Sequence, residues 1–313
     1  SMKNTVMKNI TLSQSSTLIS TKFTPLALLP EQTVYNRNLT VESDIFSAFP
    51  DIQETYQEIM TRINSPQAGY FYSLYKNTFE NITHDNTTFI LLEKFNMESS
   101  FIEIQGNSFG KLSTLSKSAC SLFNILGFNS MRINDNSFVD FSGRLRALSL
   151  PPSGDNKHLT ISNNTITHVS IESFLSHSTS TINSFQFTHN NITNLHCQTD
   201  CLSVEAETTT GDWIFSDNKI VSGAIDDGSF GTLLKQETGF ISLKNSIVSQ
   251  PSLQLFFENN IVKSIRIRLE LLGNLDHSFS GIYINTQQNV TFTNNKITQI
   301  FFGTLLDIRT PRY

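Results

Sequence analysis

The sequence predicts an all-β chain, a right-handed parallel β-helix of about eight coils with an N-terminal amphipathic helix as cap or insertion. Three observations predict it. An eleven-residue pattern, h-x-h-x-x-N-x-h-x-x-h with h apolar, recurs eight times. A second short apolar run stands between copies (CSLFNIL, ALSL, CLSV, FISL, GIYI, TLLDI), and no helical periodicity separates them. Charge is scarce at 16%, and in its place stand 30 Asn, 39 Ser and 33 Thr beside 25 Phe, which is a composition of polar turns around an apolar core.

The anchors of the pattern are Asn77, Asn107, Asn136, Asn164, Asn190, Asn218, Asn260 and Asn295, at intervals of 30, 29, 28, 26, 28, 42 and 35 residues. Three residues before each anchor stand Leu74, Ile104, Ile133, Ile161, Phe187, Phe215, Phe257 and Phe292. Two residues after it come Phe79, Phe109, Phe138, Ile166, Ile192, Ile220, Val262 and Ile297. The position five before is apolar in every copy as well, from Tyr72 to Val290. In a coil that stacks on its neighbours at ~4.8 Å, such columns form one continuous core. The same stacking turns the anchors into an amide ladder, each side chain donating to the carbonyl of the next. Asn also tolerates the left-handed backbone that a sharp corner requires. A leucine-rich repeat shares part of this pattern, but it wants a Leu eight residues before the Asn, where only Phe128 and Ile182 are apolar.

Residues 1–40 read as strands or extended segment, 41–66 as the helix, and 67–313 as the β-helix. Ile45, Phe49, Ile52, Tyr56, Ile59 and Ile63 fall at steps of three and four, which is one amphipathic face, with Ser43 or Asp44 able to cap it. A β-helix leaves an apolar end that needs such a cover. The apolar columns run on through Ile300, Leu305 and Ile308, so further coils or another chain are expected at that end.

The tetrads Phe187-Thr-His-Asn190, Phe215-Ser-Asp-Asn218, Phe257-Glu-Asn-Asn260 and Phe292-Thr-Asn-Asn295 resemble the F-x-x-N repeats of the polymorphic outer-membrane proteins, β-helical autotransporter adhesins. That family's companion G-G-A motif is echoed by Ser222-Gly223-Ala224-Ile225 and Ser280-Gly281-Ile282-Tyr283. The resemblance covers about residues 70–313. It implies an extracellular or cell-surface protein that binds protein or glycan ligands along its polar faces without catalysis. Fold alone does not fix function, so two other classes stand beside it: a polysaccharide lyase or glycoside hydrolase, and a structural assembly component.

Chemistry on such a scaffold would need converging carboxylates. The candidates are Asp226 and Asp227, in the interval that has grown to 42 residues; adjacent Asp in a polar insertion more often make a turn. The column just before the anchors supplies a polar stripe, Asp135, Asn163, His189 and Asp217, with His189 and Asp217 on adjacent coils. No metal-ligand spacing, phosphate loop or dinucleotide fingerprint is present, so no cofactor is expected. A net charge of −5 argues against nucleic acid, and no run of 18 apolar residues can cross a membrane as a helix. Cys197 and Cys201 can close a tight loop, with Cys120 left over on an inward strand. Sequons stand at Asn9, Asn38, Asn81, Asn86, Asn163, Asn191 and Asn289, which is the number that chance gives and permits glycosylation without arguing for it.

Overall fold

The computed structural model of the 313-residue chain describes residues 2–3, 6–12, 19–22, 37–38, 70–84, 88–93, 101–114, 120–125, 128–150, 155–226, 238–268, 279–301 and 304–309. The expected helix in 41–66 lies outside the described residues. Within them the chain is strand and turn with no helix, and every strand pair is parallel. This is a solenoid of stacked parallel strands, not the strand-plus-helix unit of a leucine-rich repeat.

Each turn of the winding, here a rung named by its anchor, contributes three strands. In the rung of Asn136, Ser130–Asn134 leads into the anchor, Ser137–Ser142 follows it, and Leu145–Leu150 closes the turn. The strands that follow the anchors form a sheet of their own; those before them share the larger sheet with the closing strands. Register keeps like positions together. Met131 lies opposite Ile102 and Leu159, Ile133 opposite Ile104 and Ile161, and Phe138 opposite Phe109 and Ile166. All are buried, so the apolar columns read from sequence are the core.

Strict alternation would not put all those columns inside. Positions five and three before the anchor share a parity, whereas the anchor and the position two after it have the other. The flip is made by one residue of positive φ just before each anchor: Lys76, Gly106, Asp135, Asn163, His189, Asp217, Asn259 and Asn294. A second flip follows four residues after each anchor, at Asn81, Lys111, Asp140, His168, Asn194, Ser222, Ser264 and Gln299, all with φ between 53° and 60°. The ladder skips these second residues: Val139 pairs with Thr167 and Phe141 with Val169, while Asp140 and His168 do not pair. Each is a one-residue bulge that re-aims the strand. The left-handed conformation expected of the anchor asparagines therefore belongs to their neighbours. The anchor cannot take it, because its side chain must point into the winding.

The anchors are buried and bonded in series. Asn164 donates from both its backbone N and its Nδ2 to Asn190 Oδ1, each at 3.0 Å. Asn190 repeats this toward Asn218 at 3.0 and 3.1 Å, and its Nδ2 also reaches back to the Ile161 carbonyl at 3.0 Å. The same double donation runs from Asn77 through Asn107, Asn136, Asn164, Asn190, Asn218 and Asn260 to Asn295. Both lone pairs and both amide hydrogens of an interior anchor are thus used, which removes the cost of burying it. From anchor to anchor the ladder also has a direction: each donates to the Oδ1 of the later one and accepts at its own Oδ1 from the earlier one.

Packing fills the winding by trading bulk between columns. Phe79, Phe109 and Phe138 stack after the first anchors, at centroid distances of 4.9 and 5.2 Å. Later the rings change sides: Phe187, Phe215, Phe257 and Phe292 stack before the anchors at 4.9, 4.8 and 5.0 Å, and the opposite column is Ile or Val. A ring on both sides of one rung would overfill it.

Part of the 1–40 segment joins the winding. Val6–Leu12 lies parallel on Thr78–His84, with Met7 opposite Phe79 and Ile10 opposite Ile82, and Ile19–Lys22 lies on Thr88–Glu93. Met2–Lys3 and Arg37–Asn38 both pair with Tyr70–Tyr75.

Candidate functional site

The polar stripe is placed by the backbone. Asp135, Asn163, His189 and Asp217 all occupy the positive-φ corner, at φ 58°, 55°, 57° and 56°. Asn and Asp adopt that conformation more readily than other side chains, and this accounts for their frequency in the column without any ligand. His189 Nε2 stands 3.9 Å from Asp217 Oδ2, with the side chains 61% and 38% exposed. At that distance and exposure the pair is a weak surface contact. Asp135 Oδ2 accepts from Gln105 Nε2 at 3.1 Å, and Asn163 projects into solvent.

A parallel stripe was hidden in the sequence. The second positive-φ column holds Asp140 and His168, whose Oδ1 and Nδ1 approach to 3.7 Å. Its signal is the second x-x doublet of the repeat, which reads as a solvent-facing pair until the parity break is seen. The two columns border the outer face of the strand between them, where Thr78, Ser108, Ser137, Thr165 and Asn191 lie in register one rung apart.

The corner that follows this strand gathers ionic groups. Glu172 is buried; its Oε1 accepts from Arg146 Nη2 at 2.6 Å and Nε at 2.8 Å, and its Oε2 faces Arg144 Nε at 3.8 Å. Its main-chain carbonyl takes the Gln198 and Thr199 N–H groups and the Thr199 hydroxyl. These last two belong to the loop closed by the Cys197–Cys201 disulfide, whose Cα atoms are 5.4 Å apart. The arrangement is an ionic latch between neighbouring rungs. Both guanidinium groups approach the one buried carboxylate from the rung before it. Cys120 is buried on the strand Cys120–Ile125 and is not part of that bond.

Of the carboxylate candidates, Asp226 ends the strand Lys219–Asp226, and Asp227 lies outside the described residues. Backbone register sets Asp226 opposite Arg268 and Ala224 opposite Arg266. Among the described residues no three His, Cys, Asp or Glu side chains gather as a metal site, and no helix is long and apolar enough to cross a membrane.

Among the described residues, His177 is the histidine buried inside the winding. It stands in an aliphatic column, opposite Leu150 on one side and Val204 on the other, with its ring 6.1 Å from Phe128. Nδ1 lies 3.3 Å from the Leu150 carbonyl. Burial pushes its pKa down to about 4. The neutral ring therefore belongs to the folded state, whereas the unfolded chain binds a proton already near pH 6.5. Stability is expected to fall as pH drops from about 6.5 to about 4, by roughly 3 kcal/mol for this group, and to level off below. Replacing His177→Leu should flatten that part of the curve of denaturation midpoint against pH. An unchanged acid slope would show that other groups cause it.

Of the sequon asparagines, Asn81, Asn163, Asn191 and Asn289 are exposed, and Asn289 Nδ2 donates to the Pro251 carbonyl at 2.9 Å. Asn9 and Asn38 lie on strands, and Asn86 lies outside the described residues. None of the ladder asparagines is the acceptor residue of a sequon, because the position two after them must be apolar and inward. Compared with known proteins, the chain matches no family model, no curated protein and no solved structure.

Proposed function

We propose that the chain is a right-handed parallel β-helix of about eight coils, capped or interrupted by the amphipathic helix of 41–66, that acts as an extracellular, adhesin-like binding surface. Its ligands are proteins or glycans held along the outer polar columns, without catalysis. The observation that carries the reading is the long, regular outer face between the two positive-φ columns. There Ser, Thr and Asn side chains repeat in register, one strand spacing apart, from Thr78 to Asn191. Hydroxyls and amides each donate and accept, so a repeated ligand can bridge several rungs with small contributions that add. The Cys197–Cys201 disulfide supports an oxidising compartment. Residue by residue, the resemblance to the F-x-x-N adhesins concerns the core and not the surface, so it supports the architecture more than the ligand.

The test is direct. The full chain is screened against a glycan array and against intact cells. The same screen is repeated with Thr165→Arg combined with Thr193→Arg, which place bulk on the outer face of two adjacent rungs. Binding by the parent, lost at least tenfold in the double variant, is the expected result. Release of unsaturated or reducing ends from any polysaccharide by the parent would overturn the non-catalytic reading and direct attention to Asp226 and its neighbour Arg268. Binding indifferent to both substitutions would remove the outer face from the argument.

A further inference from the structure

The rung of Asn295 turns one face toward the rung of Asn260 and the other away from it. On that second face the columns lose their cover. Leu255, Phe257 and Val262 are wholly buried, whereas their successors Val290, Phe292 and Ile297 are only half-buried. The four-ring stack ends there, with Phe257 and Phe292 nearly parallel at 5.0 Å and no further ring stacked on Phe292 among the described residues. The three strands of this rung, Asn289–Thr293, Lys296–Phe301 and Thr304–Arg309, each pair on one side only among the described residues.

The amide ladder says what fits on such a face. In every earlier rung the anchor's N–H and one Nδ2 hydrogen go to the Oδ1 of the following anchor. The N–H just before the anchor goes to a carbonyl of the following rung, as Asn259 N does to Thr293 O at 3.1 Å. For Asn295, Nδ2 donates back to the Phe257 carbonyl, and its other amide hydrogen and its N–H find no acceptor among the described residues. The face is thus apolar on both sides of a polar patch, in which the Asn294 and Asn295 N–H groups and one Nδ2 hydrogen stand beside the carbonyls of Phe292 and Asn295, whose counterparts in the preceding rung, Phe257 and Asn260, accept from this one. A second copy turned face to face would run its strands antiparallel to these and would bring no following anchor's Oδ1 to the Asn295 donors. That arrangement repeats none of the bonds seen between rungs.

We propose that this face binds an extended polypeptide carrying the chain's own rung pattern, added as a parallel strand. An Asn side-chain oxygen would take the Asn295 N–H and Nδ2, and apolar side chains three before and two after it would lie on Phe292 and Ile297. The chemistry of recognition is strand addition to open edges, with the side-chain oxygen setting the register. A one-residue slip would put the oxygen outside and a polar side chain on Phe292.

The probe is a labelled synthetic peptide with the sequence of Gln254–Ile265, QLFFENNIVKSI, which is the rung that already makes these contacts. Titrated with the full 313-residue chain, it should bind saturably. The same peptide with Asn260→Leu should bind at least tenfold more weakly, and a scrambled peptide should not bind. That comparison leaves the protein unaltered, so it holds whatever a substitution does to folding. In the protein, Phe292→Asp should abolish binding while its far-ultraviolet spectrum stays that of the parent. Equal affinity for the Asn260→Leu peptide, or no binding of the parent peptide, overturns the proposal. So does sedimentation showing that the chain stacks on itself and thereby shuts the peptide out, which would make a second copy the occupant.

Discussion

Replacing Asn190→Leu should be among the most damaging single changes in the chain, at about 4–6 kcal/mol of unfolding free energy, because several buried polar groups lose a partner at once. Asn164 loses the acceptor of both its backbone N–H and its Nδ2. The Ile161 carbonyl loses its side-chain donor, and Asn218 Oδ1 keeps only the Asn190 backbone N–H. Leu supplies apolar area but no way of satisfying any of them. Asn190→Asp makes the sharper comparison. It preserves the acceptor for Asn164, yet sets a second oxygen against Asn218 Oδ1 and the Ile161 carbonyl. Burial and these oxygens should raise the pKa of that carboxyl, so its protonated form is the one that fits. The Asp variant should thus regain part of its stability relative to the parent as pH falls, whereas the Leu variant should not. Chemical denaturation at neutral and mildly acid pH reads both. A Leu variant as stable as the parent would mean that the ladder contributes nothing net.

The second large effect is one of volume. A Cβ on Gly223 would sit 2.5 Å from Cζ of Phe240 and 2.7 Å from Cδ1 of Ile265. Both neighbours are completely buried, so neither can withdraw into solvent. Gly223→Leu should cost about 3 kcal/mol or more through overpacking, and Phe240→Ala about 3–5 kcal/mol through the cavity it leaves. Together the two changes should recover a large share of both losses, because the Leu side chain occupies the space of the ring. A double-mutant cycle in denaturant measures that coupling directly. Simple additivity of the two losses would show that the columns do not compensate each other. The same trade is visible elsewhere in these two columns, where Phe141 accompanies Ala147 and Leu195 accompanies Cys201.

Gly223 also shows how a motif changes meaning. In the sequence, Ser222-Gly223-Ala224-Ile225 is an echo of a family signature. In the structure Ser222 is the bulge, Gly223 is the gap for Phe240, Ala224 faces outward and Ile225 returns to the core. Each residue of the motif has a packing reason of its own.

The sequence by itself determined the repeat, the apolar columns and the anchor asparagines, because stacking at constant register places equivalent residues in equivalent surroundings. One copy then speaks for all of them. It also contained the two parity breaks, as the x-x doublets of h-x-h-x-x-N-x-h-x-x-h, but not their cause. Which residue of a doublet takes positive φ depends on where the hydrogen bonds of the next rung can be met, and no single rung holds that information. The same holds for the direction of the ladder, for the Arg146–Glu172 latch across rungs and for the burial of His177, a residue whose spacing in the sequence gives no sign of it. The stripe of Asp135, Asn163, His189 and Asp217 was legible as a column and illegible as a backbone corner. What only the tertiary structure decided was which polar residues are consumed inside the winding and which are left facing water, since alternation alone gives the wrong side after every bulge.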